Sequence, residues 1–329
     1  MDLSIISKYR GELMGIGILE VMLLHYFTLQ NIPVPGFVSP LVGLVYVQGF
    51  LFLSGFGLYY SYTNNSNCAQ FFRKRFVNIL IPYLLIALPY YTYFFLTNQQ
   101  DLIPVYSSSI EHVNSILTYL GRISTLGYWY EGNFNGMWYL ALTLLLYAVY
   151  PVAYKTFKNV ALGGGKSLYL WLLIIAFTAF LYNIVGFISP RYCEVISLSL
   201  GNAYMFFVGM LFGKWSYYKE NLDIDKLFVI GILCWIAPHF KSIMSMIIIC
   251  YVLSKLPQTF NYITKILRWF GQYTLEIYVL HLTLMSLFII YESKIQLSFN
   301  LQIFIAYSAS LLLAVVVKRI TERIKKILI

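Results

Sequence analysis

Four ionisable side chains interrupt runs of otherwise apolar residues: Glu20 and His25 in one run, Glu276 and His281 in another. Charge in hydrocarbon is costly, so each is expected to face a bundle interior or a wet cavity. A histidine that titrates near neutrality can take the proton of a sugar hydroxyl as that oxygen attacks an acyl carbonyl. It can equally serve as a neutral hydrogen bond between helices. Both readings stand for His25 on chemistry alone. Within each pair the offset is five residues, which at 3.6 residues per turn leaves the two side chains about 140° apart around a helix. Glu20 therefore does not pair with His25, nor Glu276 with His281, and each needs a partner on another helix. For Glu276 and His281 a packing or orienting role stands beside a direct one.

Two further segments carry polar chemistry. The cluster Arg73-Lys74-Arg75 could hold the phosphates of a nucleotide-derived cofactor such as coenzyme A, or could simply mark the inner side of a membrane. Lys74 reads as a topology signal, whereas Arg75 is open between the two. A longer polar stretch at about 97–133 ends in Gly127-Tyr128-Trp129-Tyr130-Glu131-Gly132-Asn133, followed by Trp138. Aromatic faces with carboxylates suit a sugar-bearing acceptor, and an interfacial aromatic belt is the competing reading. Gly163-Gly164-Gly165-Lys166 lacks the spacing of a phosphate-binding loop and reads as a flexible turn.

The elements that must position these groups follow from composition. Of 329 residues 60% are hydrophobic, 11% are charged and 19% are aromatic, and the mean hydropathy is +0.71. Soluble domains hold about 45–50% apolar and about 25% charged residues, so a soluble, disordered or fibrous protein is excluded. A spanning helix needs about 20 mostly apolar residues, and about ten candidates follow: 13–29, 40–61, 76–96, 135–156, 167–187, 200–214, 226–240, 243–256, 271–291 and 299–317. The expected fold is all-α, a polytopic membrane bundle forming a single domain over residues 1–329. With the N-terminus inside, only Arg122, Arg191, Lys241 and Lys294 of the 23 basic residues fall outside, so both termini are expected in the cytoplasm. The net charge of +10 is then an orientation signal rather than a sign of nucleic acid.

No small-residue cleavage site follows the first apolar run, and Glu20 and His25 interrupt it, so it does not read as a cleavable signal. Four cysteines without a C-x-x-C spacing predict neither a disulfide framework nor a zinc site. The absence of an internal repeat argues against an inverted-repeat transporter.

Several segments together are similar to one known family. Met14-Gly15-Ile16-Gly17-Ile18-Leu19 with Leu24-His25 resembles the first span of the acyltransferase family 3 membrane proteins, and Phe52-Leu53-Ser54-Gly55-Phe56-Gly57 resembles the second. Arg73 through Tyr83 resembles the basic start of the third. Met137-Trp138-Tyr139-Leu140 through Tyr150-Pro151 resembles the aromatic span after the long outer loop, and Gly271 through His281 the span with a Leu-Glu-Ile-Tyr…His pattern. Two positions differ from the family pattern. Met14 stands where an Arg usually lies eleven positions before the His, with Arg10 one turn earlier, and Asn78 stands where a second basic-motif Arg is usual.

The resemblance implies a ten-helix enzyme of the cytoplasmic (inner) membrane. Such an enzyme moves an acyl group, often acetyl from acetyl-coenzyme A, onto a hydroxyl of an extracytoplasmic glycan or lipid-linked sugar. His25 then corresponds to the catalytic histidine. Arg10, Arg73 and Arg75 are the expected donor-binding residues. Glu20, Ser54, Glu276 and His281 are expected in support, and Trp129, Glu131, Asn133 and Trp138 around the acceptor. Acyl-CoA is a substrate rather than a resident cofactor, and neither metal nor nucleic acid is expected. The rival is a transporter or polysaccharide-export component using the same fold without chemistry, since intramembrane Glu and His also suit proton-coupled movement.

Overall fold

The computed structural model describes residues 3–29, 32–36, 38–39, 42–98, 113, 115–132, 136–158, 195, 199–219, 241–291 and 297–328. Among them are twelve helices and no strand. A short α1 (Ser4–Lys8) leads into α2 (Arg10–Leu29), followed by α3 (Tyr46–Asn64) and α4 (Cys68–Thr97). Next come α5 (Ile116–Ser124), α6 (Tyr128–Glu131) and α7 (Trp138–Lys158). Then come α8 (Tyr204–Tyr217), α9 (Lys241–Lys255), α10 (Asn261–Gln272), α11 (Thr274–Ile290) and α12 (Phe299–Leu328).

Helices α2, α4 and α12 are each long and apolar enough to cross a membrane. Helix α9 forms a further candidate span only together with the segment Gln258–Gln272, from which it is bent by 117°. Helices thus occupy eight of the ten span positions expected from the sequence. The expected spans 167–187 and 226–240 lie outside the described residues. One element differs from expectation: α10 falls where an inner loop was expected, because Asn261, Thr264, Lys265 and Arg268 break the apolar run.

Glycines set how closely the helices approach. A Cβ at Gly15 would collide with the backbone carbonyl of Leu267, and one at Gly271 with the carbonyl of Gly11. The same reciprocity joins α3 to α8, where Gly55 faces the Phe206 carbonyl and Gly209 the Phe52 carbonyl. Lipid supplies no hydrophobic drive between helices, so small residues that admit close backbone packing do the joining. The core divides into two large clusters. One centres on α3, α7 and α8, with Phe52, Phe56, Tyr150, Phe206 and Trp215. The other joins α2, α4, α7 and α11 through Ile18, Val21, Tyr83, Leu140 and Ile277.

Polar groups complete the scaffold. Glu12 accepts from Arg268 Nη2 at 2.6 Å and ties α2 to α10. Glu20 Oε2 accepts from the backbone N–H of Val45 at 3.1 Å and of Tyr46 at 2.7 Å. It therefore caps the start of α3, where amide groups lack intrahelical partners and an anion is favoured. Tyr46 holds a left-handed φ of 47° at that point, a costly conformation that the Glu20 contact helps to fix. Between α5 and α6, Arg122 Nε donates to Glu131 Oε2 at 3.1 Å, with both side chains fully buried. Burial pushes the Glu131 carboxyl above its ordinary range while Arg122 pulls against that shift. Glu131 is thus the clasp between α5 and α6.

Two predictions follow from this packing. Gly271→Ala should cost about 1–3 kcal/mol, because the added methyl meets rigid backbone. It should lower the Tm in detergent, whereas Gly36→Ala, which meets nothing within 4 Å, should leave it unchanged. Glu131→Ala removes the carboxylate paired with the buried Arg122 guanidinium and should cost about 3–5 kcal/mol, read in the same melting assay.

Candidate functional site

Helix α2 brings His25 against α11. His25 Nδ1 lies 2.8 Å from His281 Nε2. The ring planes differ by 15° with centroids 5.1 Å apart. Rings stacked face to face would keep their atoms about 3.5 Å apart or more, so a 2.8 Å nitrogen contact places the two imidazoles edge to edge, close to one plane. His281 is fully buried and its Nδ1 lies 2.8 Å from the Ile277 carbonyl oxygen. His25 is only partly buried, so the pair has a sealed end on α11 and a more accessible end on α2.

Aromatic rings surround this pair. Tyr278 meets His281 edge-on at 6.0 Å, and Tyr307 of α12 does so at 6.1 Å. Their hydroxyls are held by backbone carbonyls, that of Tyr278 by Gly136 and that of Tyr307 by Met22. Tyr139 packs on Tyr278 at 5.7 Å and Trp138 on Tyr139 at 6.2 Å. A continuous aromatic path thus runs from Trp138 to the histidine pair. Ser54 lies near Tyr139 and so sits at the flank of this path.

A cavity of about 750 Å³ opens elsewhere along the same helices. Its lining includes Arg10 and Met14 of α2, Lys74 and Asn78 of α4, Thr274 and Glu276 of α11, and Lys318, Glu322, Lys325 and Lys326 of α12. Lys318 pairs with Glu276 at 3.3 Å and Lys325 with Glu322 at 2.9 Å. Five cations against two carboxylates give this lining a net positive charge, which is chemically suited to an anion. From Met14 to His25 helix α2 rises about 16 Å, and from Thr274 to His281 helix α11 rises about 10 Å. Buried Ile18, Val21, Met22 and Ile277, with Glu20, fall in those intervals, so the stretch of the two helices between the cavity and the histidine pair is largely apolar.

The residues singled out from sequence divide accordingly. His25, His281 and Trp138 come together around the aromatic path, with Ser54 beside it. Arg10 and Glu276 line the cavity, and the two positions that differ from the family pattern, Met14 and Asn78, line it as well. Arg73 is exposed and outside that lining, while Arg75 donates to Ser61 Oγ at 2.6 Å. The neighbouring Lys74, read as a topology signal, reaches the cavity instead. Glu20 is occupied at the start of α3, and Glu131 by Arg122. Trp129 packs on Tyr128, and Asn133 lies outside the described residues.

Sequence reasoning passed over Lys318, Lys325 and Lys326. Their signal was present: positions 318, 322, 325 and 326 follow the i, i+4, i+7, i+8 spacing of one helix face. Tyr278 is the tyrosine of the Leu-Glu-Ile-Tyr…His pattern but was given no role, and Tyr307 had no signal.

A search of curated proteins and a search of solved structures returned no match. Residues 13–238 match the family model of an acyltransferase domain, that of acyltransferase family 3. The matched stretch includes His25, Arg10's neighbour Met14, Lys74 and Asn78, while His281 and the α12 lysines lie beyond it. Because the match extends over more than half of the chain, the protein belongs to acyltransferase family 3.

Proposed function

We propose that this membrane protein transfers an acyl group, acetyl being the simplest, from a coenzyme A thioester to a hydroxyl of an extracytoplasmic glycan or lipid-linked sugar. The observation that carries the reading is a partly exposed His25 held by a fully buried His281. A histidine whose orientation is fixed by a second group is the arrangement general-base catalysis requires. In the reaction the acceptor oxygen forms a bond to the acyl carbon as its proton passes to His25. The carbon–sulfur bond breaks, and the coenzyme A thiolate leaves and is reprotonated.

The cationic cavity suits the phosphates of the donor. Its side of the bilayer is the cytoplasmic one on the orientation expected from the basic residues. Arg10, Lys74, Lys318, Lys325 and Lys326 compensate there for the arginines replaced by Met14 and Asn78. The acyl arm then has to pass the largely apolar stretch of Ile18, Val21 and Ile277 to reach His25. The aromatic path from Trp138 offers flat apolar faces to a sugar arriving from the opposite side.

Two measurements test this. In membranes supplied with labelled acetyl-coenzyme A, His25→Ala should reduce glycan labelling at least about 10²-fold, and undiminished labelling rejects the assignment. The charged wall separates from the basic cluster in KM: Lys74→Ala and Lys326→Ala should each raise the donor KM about 10-fold, the size of one charged hydrogen bond. Arg73→Ala should leave KM unchanged. A larger effect from Arg73 than from Lys74 would move the donor away from the cavity.

A further inference from the structure

We propose that His281 is a positioning residue that fixes the tautomer of His25, so that Nε2 of His25 is the nitrogen that takes the acceptor's proton. This deepens the proposed function and rests on it for the chemistry, though the tautomer itself does not.

The argument starts from an atom that can only accept. The Ile277 carbonyl oxygen lies 2.8 Å from His281 Nδ1, and a carbonyl has no proton to give, so Nδ1 of His281 carries the hydrogen. A neutral His281 then holds its lone pair at Nε2. That lone pair faces Nδ1 of His25 at 2.8 Å, so His25 must donate from Nδ1, and a neutral His25 is left with its lone pair at Nε2. The near coplanarity of the rings, 15° apart, points the Nδ1–H bond along the lone pair, as a strong hydrogen bond requires.

The alternative arrangement reverses the middle bond. It would need His281 protonated at both nitrogens, an imidazolium fully buried within the bundle. Among the described residues, the side chains that meet His281 are those of His25 on α2, Tyr278 on its own helix and Tyr307 on α12, and none of these is a carboxylate. A buried cation without a counter-charge is costly in this setting, so the neutral chain is favoured. Both tyrosine hydroxyls already donate to backbone carbonyls, which keeps the His281 ring in an apolar frame. When His25 takes a proton at Nε2, its Nδ1–H remains on His281 Nε2, and the bond becomes charge-assisted.

Glutamine separates orientation from packing, because Gln Oε1 reaches the place of His Nε2 and accepts from the same donor. In full-length protein with ring-¹⁵N histidine, only four histidines contribute signals, and His25→Gln identifies the one from His25. The expected spectrum shows His25 protonated at Nδ1 in the unsubstituted protein and in His281→Gln, and a shift to the Nε2-protonated form in His281→Leu. In parallel, His281→Leu should lower kcat about 10²–10⁴-fold, the range seen when a base is held in the wrong tautomer or lost. The donor KM should be unchanged, and His281→Gln should restore kcat to within about 10-fold. An Nε2-protonated His25 in the unsubstituted protein overturns the proposal, as does equal kcat in the Gln and Leu variants. If no acyl transfer is seen at all, the proposed function fails while the spectra still decide the tautomer.

Discussion

Inside a bilayer a polar group has no water to turn to, and α2 carries more polar groups than any apolar span can leave unanswered. The fold is organised around answering them, each from a different helix. Glu12 meets Arg268 of α10, Glu20 meets the exposed amides at the start of α3, and His25 meets His281 of α11. Even a backbone carbonyl, that of Met22, is taken by Tyr307 of α12. Glycines at 11, 15 and 271 allow α2 and α10 to approach until backbone meets backbone. That approach helps set the position of α2 and, with it, where His25 lies. A rigid α2 is a precondition of the histidine contact, since a hydrogen bond weakens steeply once its angle falls away from linear.

The division of labour on α2 and α11 explains why four similar-looking ionisable residues have different roles. The five-residue offsets separate the members of each pair, and the structure gives each its own partner. Glu20 is spent on the fold, because two backbone N–H groups occupy one of its oxygens. Glu276 is spent on the cavity wall with Lys318. The two histidines instead meet each other across α2 and α11. The α5–α6 segment shows the same sorting: Glu131 was attractive as an acceptor-binding carboxylate, yet its burial against Arg122 makes it structural.

Much of this was legible in the residues and some of it was not. Apolar runs and the scarcity of charge gave the helical membrane class, and the order of motifs from Met14 to His281 gave the family. The His25–His281 contact was illegible because it joins positions 256 residues apart, and periodicity reports only which face of its own helix a residue occupies. Arg73 illustrates the same limit: three consecutive basic residues point three ways around a helix, and only Lys74 reaches the cavity. α10 was missed because its polar residues mimic a loop unless a neighbouring helix such as α2 is known to cover the other side. The lysines of α12 were legible in spacing but were absorbed into the reading of a cytoplasmic tail.

The choice of a histidine at 281, where a soluble hydrolase would commonly place a carboxylate, follows from the medium. An aspartate there would orient His25 equally well and stabilise its imidazolium more strongly, but a bare carboxylate buried among Tyr278, Tyr307 and Ile277 would itself be expensive. A neutral imidazole anchored on a backbone carbonyl transmits the orientation without introducing charge. The trade is a weaker hold on the protonated His25, which favours prompt release of the proton after transfer. Meanwhile the fixed charges are gathered at the cavity, where a polyanionic donor can neutralise them, and a largely apolar stretch lies between. On the proposed mechanism, charge recognition and proton transfer would be kept in separate dielectric surroundings along the same two helices.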